Sequence, residues 1–435
     1  MTLQVPKKRN SLLTFSQSSL SSLLESMDFK NAKQQYNQKY NPNTKKKTMK
    51  AMKVRFYPSN IQKRYLSVWF GVYRYFYNRA KFKSEETNIY SFQALRNSLR
   101  VNGKYEIPNK WKGIKIPPRI ITGAIKDYCS AFKTCIALLK NKQIHEFDIK
   151  IKRKKGRTQT LNLEKCCFGK GNVLFPSIVK DFGSFIGVYK SRKKKIKIKD
   201  LEINHDCRIS YQYDKYYLLI PYKKEEVKSN PNYSCISLDS GIRTFQTGFC
   251  FDNQHTIEIC KNIDKKIFRF TQRIDKLNSY YFNTRENGKF TNKFKKVRKK
   301  ISNKRKKAYE KIKNKIQDLH WKTIKFLTDN YKHIIISNFK TKKLFESKKL
   351  RKITKRSMSF LSHYSFRQKL IEKTPSRGNY LYVVDESYTS KTCGGCGKIN
   401  QSLGESKIFK CPYCDYVGDR DINASRNIGL KTMFS

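Results

Sequence analysis

The stretch Tyr380-Leu-Tyr-Val-Val-Asp-Glu-Ser-Tyr-Thr-Ser-Lys-Thr-Cys-Gly-Gly-Cys396 changes character twice within 17 residues. Tyr380–Val384 is a continuous apolar run, the pattern of a strand buried on both faces. Asp385 and Glu386 follow at once, and a Cys-x-x-Cys pair ends the segment. A buried strand that ends on carboxylates delivers negative charge to one edge of a sheet. Side chains alternate along an extended chain, so only one of Asp385 and Glu386 can face a given site.

Downstream, Cys411-Pro-Tyr-Cys414 repeats the cysteine pair, with 14 residues between Cys396 and Cys411. Each pair sets two thiolates on one tight turn. Two such turns close a tetrahedral site of Cys393, Cys396, Cys411 and Cys414, which suits Zn²⁺. A four-sulfur site has no open position, so this zinc is expected to be structural. The other eight cysteines, scattered from Cys129 to Cys260, read as small buried apolar residues. The segment Asp421-Ile-Asn423-Ala-Ser-Arg-Asn427 then reads as the start of a helix.

Upstream lie two further apolar strands. His333-Ile-Ile-Ile336 runs into Ser337 and Asn338, and Cys235-Ile-Ser-Leu238 runs into Asp239-Ser240-Gly241. Strands are also expected over Thr244–Phe251 and Thr256–Cys260. A long helical hairpin separates Cys260 from His333. Its arms carry Ile267, Phe270, Ile274 and Leu277, then Phe294, Val297, Ile301, Ala308, Ile312, Ile316 and Leu319, with a turn near Asn287-Gly288. One more helix is expected over Ser357–Glu372. The order strand, strand, strand, helix, strand, helix, strand, helix fits an RNase H-like fold.

The N-terminal half reads differently. Met52–Pro58 alternates like a strand ended by proline. Ser59 looks like an N-cap before Leu66, Trp69, Phe70, Tyr73, Phe76 and Tyr77 at helical spacing. A second helix is expected over Pro118–Lys142, and Thr158–Tyr222 is strand-like. Residues 1–48, rich in Ser, Asn, Gln and Lys, read as a mobile arm with basic clusters at Pro6–Arg9 and Lys45–Lys47. That arm lacks the apolar core of a secretory leader. No run of 18 apolar residues exists, so no membrane partner is expected.

Charge sets the class of partner. The 435 residues hold 95 Lys plus Arg against 33 Asp plus Glu, a net +62. Such a chain needs a polyanion, and nucleic acid is the default. An ordinary metabolic enzyme is excluded. Lys295, Lys296, Arg298, Lys299, Lys304 and Arg305 crowd the second arm of the hairpin and are read as phosphate contacts. Because acids are scarce, three of them at strand or helix ends are informative. Alone, Asp239 also suits a turn cap and Asp421 an N-cap. Together, Asp239, Glu386 and Asp421 could hold two Mg²⁺ about 4 Å apart, enough to activate water against a phosphodiester.

These segments resemble the transposon-encoded TnpB proteins, and most closely their eukaryotic and viral relatives, the Fanzor proteins. The resemblance rests on Leu238–Thr247, His363-Tyr-Ser-Phe-Arg367, Glu386–Cys396, Cys411–Cys414 and Asp419–Ala424. It also rests on Arg55-Phe-Tyr-Pro58 with Tyr73-Arg-Tyr-Phe-Tyr-Asn78, and covers about residues 50–430. It implies an RNA-guided DNA endonuclease related to type V CRISPR effectors. The guide RNA would come from the transposon end, one protein per guide. The target would be double-stranded DNA, with a short adjacent motif read by protein.

The implied fold is α+β and multidomain. A β-barrel wedge domain (49–80 and 158–229) holds a helical recognition insertion (81–157). A RuvC nuclease (230–388 and 415–435) holds a zinc ribbon (389–414). The resemblance assigns nucleic-acid contact to Arg55, Tyr73, Arg74 and Asn78 in the opening strand and helix. Asp239 and Asp421 match the first and third RuvC carboxylates. Typical TnpB proteins carry the second just after the strand matching Ile334–Ile336, where this chain has Ser337. Fanzor-like relatives use a glutamate before the Thr-Ser-Lys-Thr-Cys stretch instead, and that position is Glu386. The Fanzor-like placement points to a nuclear site of action in a eukaryotic or virus-infected host. Two rival readings are a nuclease-dead RNA-guided DNA binder and an unguided DNA-binding transposition accessory.

Overall fold

The computed structural model describes residues 38–40, 49–141, 144–154, 158–183, 188–190, 195–197, 201–223, 228–286, 288–339, 341–346, 350–404 and 406–434. The basic clusters at Pro6–Arg9 and Lys45–Lys47 lie outside them. The chain forms two compact units, Lys47–Lys224 and the remainder.

In Lys47–Lys224, strand β1 (Met49–Phe56) starts an open antiparallel sheet with β2 (Thr158–Leu163), β3 (Cys207–Gln212) and β4 (Lys215–Lys223), in the order β1-β4-β3-β2. Among the described residues this sheet does not close into the expected barrel. Helix α1 (Asn60–Thr87) begins with a reciprocal cap. Ser59 Oγ accepts from Gln62 N at 3.2 Å, and Gln62 Oε1 accepts from Ser59 N at 3.0 Å. It ends at Asn88 in the left-handed region. Helix α2 (Phe92–Ser98) is short, and α3 (Pro118–Lys140) starts on proline at its first turn. Leu66, Trp69, Val72 and Phe76 of α1 share one core with Ile120 and Ile125 of α3 and with Leu161 and Ile209 of the sheet. The helices therefore belong to the sheet's own core, and no boundary falls between residues 80 and 81, inside α1.

This packing corrects part of the assigned nucleic-acid surface. Tyr73 is 1% exposed, and its hydroxyl donates to Gly123 O at 3.0 Å. Asn78 brackets the Lys152 backbone, donating to its carbonyl at 3.1 Å and accepting from its N–H at 2.8 Å. Arg74 is half-buried and donates to Phe70 O and Gln159 Oε1. Aromatic side chains at helical spacing made the core here. Arg55 does remain exposed, with its guanidinium 4.6 Å from the Tyr57 ring centre.

The second unit is built on a larger sheet. Strands β5 (Tyr233–Ser240), β6 (Gln246–Cys250) and β7 (Thr256–Ile259) form an antiparallel meander. Strand β8 (Tyr331–Ser337) then lies parallel to β5, and β9 (Tyr380–Val384) parallel to β8. The order is β7-β6-β5-β8-β9, with Gln38–Tyr40 added antiparallel at the β9 edge. Three residues of the expected mobile arm thus serve as a sixth strand. The central strands read as unbroken apolar runs because both their faces are covered.

Helices α4 (Ile263–Phe282) and α5 (Lys295–Asn330) form the long hairpin between β7 and β8. At 1.5 Å per residue, α5 is about 54 Å long. Its fully buried positions begin only at Ile312, so the stretch carrying Lys295–Arg305 stands beyond the core. Near the tip, the Arg298 guanidinium lies 4.7 Å from the Phe290 ring centre and that of Arg305 4.3 Å from Tyr281. These two cations brace the hairpin, while Lys295, Lys296, Lys299 and Lys304 are exposed. The region expected as one helix over Ser357–Glu372 is two, α6 (Lys352–Leu361) and α7 (His363–Ser376). They break at Ser362, whose φ is 51°. Strands β10 (Ile408–Lys410) and β11 (Val417–Asp419) pair in the ribbon, and α8 (Arg420–Phe434) closes the described chain. Among the described residues no helix is long and apolar enough to cross a membrane.

Candidate metal centre and acidic cleft

Cys393, Cys396, Cys411 and Cys414 bring their four sulfurs within 4.8 Å of one another. Cys393 and Cys414 are 3.7 Å apart, and Cys396 and Cys411 3.6 Å. Such gaps are too long for disulfides. They match the edges of a tetrahedron whose Zn–S bonds are about 2.3 Å. The backbone N–H of Gly395 points at Cys393 Sγ (3.3 Å) and that of Tyr413 at Cys411 Sγ (3.4 Å). Such donors favour the thiolate form that a metal requires. The cluster therefore fits structural zinc. The ribbon extends past Cys414 to Asp419, because β11 is needed to pair β10.

The acids gather where α8 packs on the sheet. Cys235, Ile335, Tyr382 and Val384 share a small core with Ile428 of α8. Alternation puts Asp239, two positions beyond Ser237, on that face of the sheet. The Ser237 hydroxyl donates to Ser425 O of α8 at 2.6 Å, which fixes the helix over β5. Asp239, Glu386 and Asp421 all line one cleft of about 1140 Å³. Asp385 is not part of that lining and instead accepts the Ser387 N–H at 3.2 Å. Arg243, Lys265, Arg269, Arg351, Lys407 and Arg420 supply the cleft's cations. Sequence reasoning missed all six, because single basic residues carry no signal in so basic a chain.

Asp239 keeps some solvent exposure where it lines the cleft. Burial, then the nearby Asp421 and Glu386, push its carboxyl up to about 7. Burial and Asp419 also raise Asp421. The like charges are a cost of this arrangement. Between about pH 4 and 7 the folded state holds a proton that the unfolded chain has released, so stability falls as pH rises through that window. Asp239→Asn is therefore expected to stabilise the zinc-loaded, magnesium-free protein by roughly 2–4 kcal/mol at pH 8. The gain should vanish near pH 4. Melting curves of both proteins across this range check it, and an equal gain at every pH would contradict it.

The helix carrying Asp421 is seated by a glycine. A side chain at Gly429 would overlap the Phe251 ring and press on Ser237 Oγ. Gly429→Ala is thus expected to destabilise by about 1–3 kcal/mol through overpacking. It should also weaken any metal binding at the acids, which magnesium-dependent thermal shifts would reveal. A gain in stability, from better helix propensity alone, would show that the close contact is unimportant.

Three family descriptions match the chain. They are a Cas12f1-like TNB domain over residues 363–428, a "probable transposase" domain of the OrfB/IS605 type over 219–348, and an OrfB/IS605 helix-turn-helix domain over 48–87. A TnpB-like protein of Acanthamoeba polyphaga mimivirus is 28% identical over 407 residues, covering 88% of this chain and 74% of its own. The chain carries TnpB/IS605-family domains. A second TnpB-like protein of the same virus is also 28% identical over 407 residues, covering 88% of this chain and 72% of its own. The CRISPR-associated endodeoxyribonuclease Cas12f1 of Sulfoacidibacillus thermotolerans is 36% identical over 83 residues, 19% of each chain. Among solved structures, a Cas12f1–sgRNA–target DNA complex superposes with a TM-score of 0.45 at 14% identity, covering 88% of this chain and 98% of that one.

In this TnpB-like chain the last residue of β8 is Ser337. It is 1% exposed, and its hydroxyl has no hydrogen-bond partner among the described residues. A hydroxyl supplies no negative charge, and the other acids that line the cleft with Asp239 and Asp421 are Glu386, beyond the end of β9, and Asp264 of α4. Among the described residues the cysteines form the only group of three or more metal-ligating donors close enough to share one metal ion.

Proposed function

We propose that the protein is a Mg²⁺-dependent, RNA-guided DNA endonuclease whose Asp239, Glu386 and Asp421 form a RuvC-type site on an RNase H-like sheet. The observation that carries this reading is the meeting of these three acids in one cation-lined cleft, which Asp264 of α4 also lines. They come from the ends of β5 and β9 and the start of α8. Two supports add to it. The sheet order, with three antiparallel strands followed by two parallel ones, places the ends of β5, β8 and β9 at one edge. The TnpB-like relatives and the Cas12f1 nuclease link the sequence to guided nucleases.

The all-oxygen donor set suits magnesium, and a bound cation would relieve the repulsion that raises Asp239. Mg²⁺ would supply Lewis-acid activation of water and charge neutralisation at the scissile phosphate. The protein's part is to hold the three carboxylates, to attract the phosphate backbone with Arg243, Arg269, Arg351 and Lys407, and to seat Asp421 through α8. Exposed lysines along α5 would grip the nucleic acid. Glu386, with no acid at Ser337, supports the Fanzor-like reading, and with it a site of action in the nucleus of the host.

The test is cleavage of a matched plasmid by the protein carrying a programmed guide. Magnesium-dependent cutting that Asp239→Ala and Asp421→Ala both abolish is expected. Cutting that survives both substitutions would end the proposal. A second reading, a nuclease-dead guided binder, draws on Ser337, which leaves no acid at the end of β8. It predicts guide-dependent target binding with no nicking under Mg²⁺ or Mn²⁺.

A further inference from the structure

Helix α8 carries more than Asp421. Asn423 is fully buried, and its side chain is used at both ends. Its Nδ2 donates to Thr392 O at 2.8 Å, and its Oδ1 accepts the Gly394 N–H at 2.8 Å. One turn later, Asn427 Nδ2 donates to Thr389 O at 2.9 Å and to Thr392 O at 2.7 Å. Thr392 and Gly394 flank the zinc ligand Cys393. Thr389 in turn is bound to Glu386, its N–H donating to Glu386 O at 3.2 Å and its hydroxyl at 2.9 Å. A side chain at Gly394 would sit 2.6 Å from Asn423 Oδ1, so this close approach needs glycine. The second knuckle joins through Asn400, which donates to Lys410 O at 3.1 Å beside Cys411.

The result is a hydrogen-bonded path from the zinc knuckle to the backbone carbonyl of Glu386, anchored on the helix that carries Asp421 two residues before Asn423. We infer that Asn423 and Asn427 are positioning residues that bolt the zinc knuckle to the acid-bearing helix and turn, so that loading of the ribbon sets the geometry of the acidic cleft. The inference rests on the reading of that cleft as a divalent-metal site. Buried asparagines more often simply satisfy local backbone. Here all four bonds cross between segments 29 to 38 residues apart in sequence, and three of them end on the neighbours of the metal ligand Cys393. Removing zinc frees the knuckle, and with it the carbonyls and N–H that these asparagines hold. Coupling of this kind is reciprocal, so a divalent ion on the acids should also slow zinc release.

The experiment uses the full chain. Zinc is removed with a thiol-site chelator, the chelator is washed out, and Mn²⁺ binding is followed by the electron paramagnetic resonance of free Mn²⁺. Hydrogen exchange is read in parallel. Zinc removal is expected to weaken Mn²⁺ binding about tenfold or more, within the range of ordinary coupling. It should also speed exchange at Thr389–Thr392 and Asp421–Asn427. Asn423→Ala and Asn427→Ala should reproduce the loss with zinc still bound by assay. Exchange changes confined to residues 393–414, with Mn²⁺ affinity unchanged, would overturn the inference. If zinc-loaded protein binds no Mn²⁺, the metal reading of the cleft fails, and the exchange arm alone decides the positioning claim. If neither variant folds, the comparison of wild type with and without zinc decides it.

Discussion

Glu386→Gln is expected to reduce target cleavage by about a thousandfold, roughly 4 kcal/mol at the transition state, while guide-dependent binding persists. Asp385→Asn should stay within a few-fold of wild type. The two residues are adjacent and equally acidic, so composition does not separate them. Geometry does. Glu386 lines the cleft with Asp239 and Asp421, and its charge helps raise Asp239. Asp385 folds back onto the Ser387 N–H. The contrast between the pair is more informative than either variant alone. A mutation that merely loosened the turn after β9 would affect both. Supercoiled-plasmid nicking with a matched guide, together with a binding assay on the same target, measures it. Equal loss in both variants, or full activity in Glu386→Gln, would remove Glu386 from the site.

The second large effect concerns the zinc. Cys411→Ser or Cys414→Ser is expected to abolish stoichiometric zinc and to unfold the ribbon. The reason is size. Of the segment between Thr389 and Asp419, few side chains are fully buried, Phe409 and Cys393 among them. So small a core cannot offset chain entropy, and the metal must supply the difference. Structural zinc contributes about 10–16 kcal/mol in comparable small domains. The main sheet should survive, because its larger core draws on Ile236, Leu238, Ile334, Ile336 and Leu381 and on helices outside the ribbon. Zinc quantification with limited proteolysis tests this. Early cleavage between residues 393 and 419, with the rest resistant, is expected. A ribbon that stays protected without metal would contradict a structural role for zinc.

How legible these features were follows from what each residue faces. The runs Cys235–Leu238, Ile334–Ile336 and Tyr380–Val384 announced themselves because strands buried on both faces need apolar residues at every position. The two cysteine pairs were legible because tetrahedral closure leaves little freedom in spacing. The acids could be found because an acid at the end of such a strand is rare in a chain of +62. Other features left no such trace. Tyr73 and Asn78 read as a nucleic-acid surface, yet the side of α1 that carries them turns inward, and periodicity does not reveal what a helix packs against. The break at Ser362 depends on one left-handed residue that a continuous helical pattern conceals. The pairing of Gln38–Tyr40 with β9 is a long-range contact with no local signature. Asn423 and Asn427 stood in a quoted motif, but a buried asparagine's partners lie on another segment and are invisible until the chain is folded.

The acids and the zinc can both be right while guidance is wrong, since +62 alone attracts any nucleic acid. The most direct measurement is therefore to express the chain with its native flanking DNA, purify it under nuclease protection, and sequence the bound RNA. One discrete species running from the element's end into flanking sequence is the expected result, and it would define the target for the cleavage assays. A heterogeneous mixture of cellular RNAs would contradict the guided reading and leave an unguided DNA-binding protein in its place.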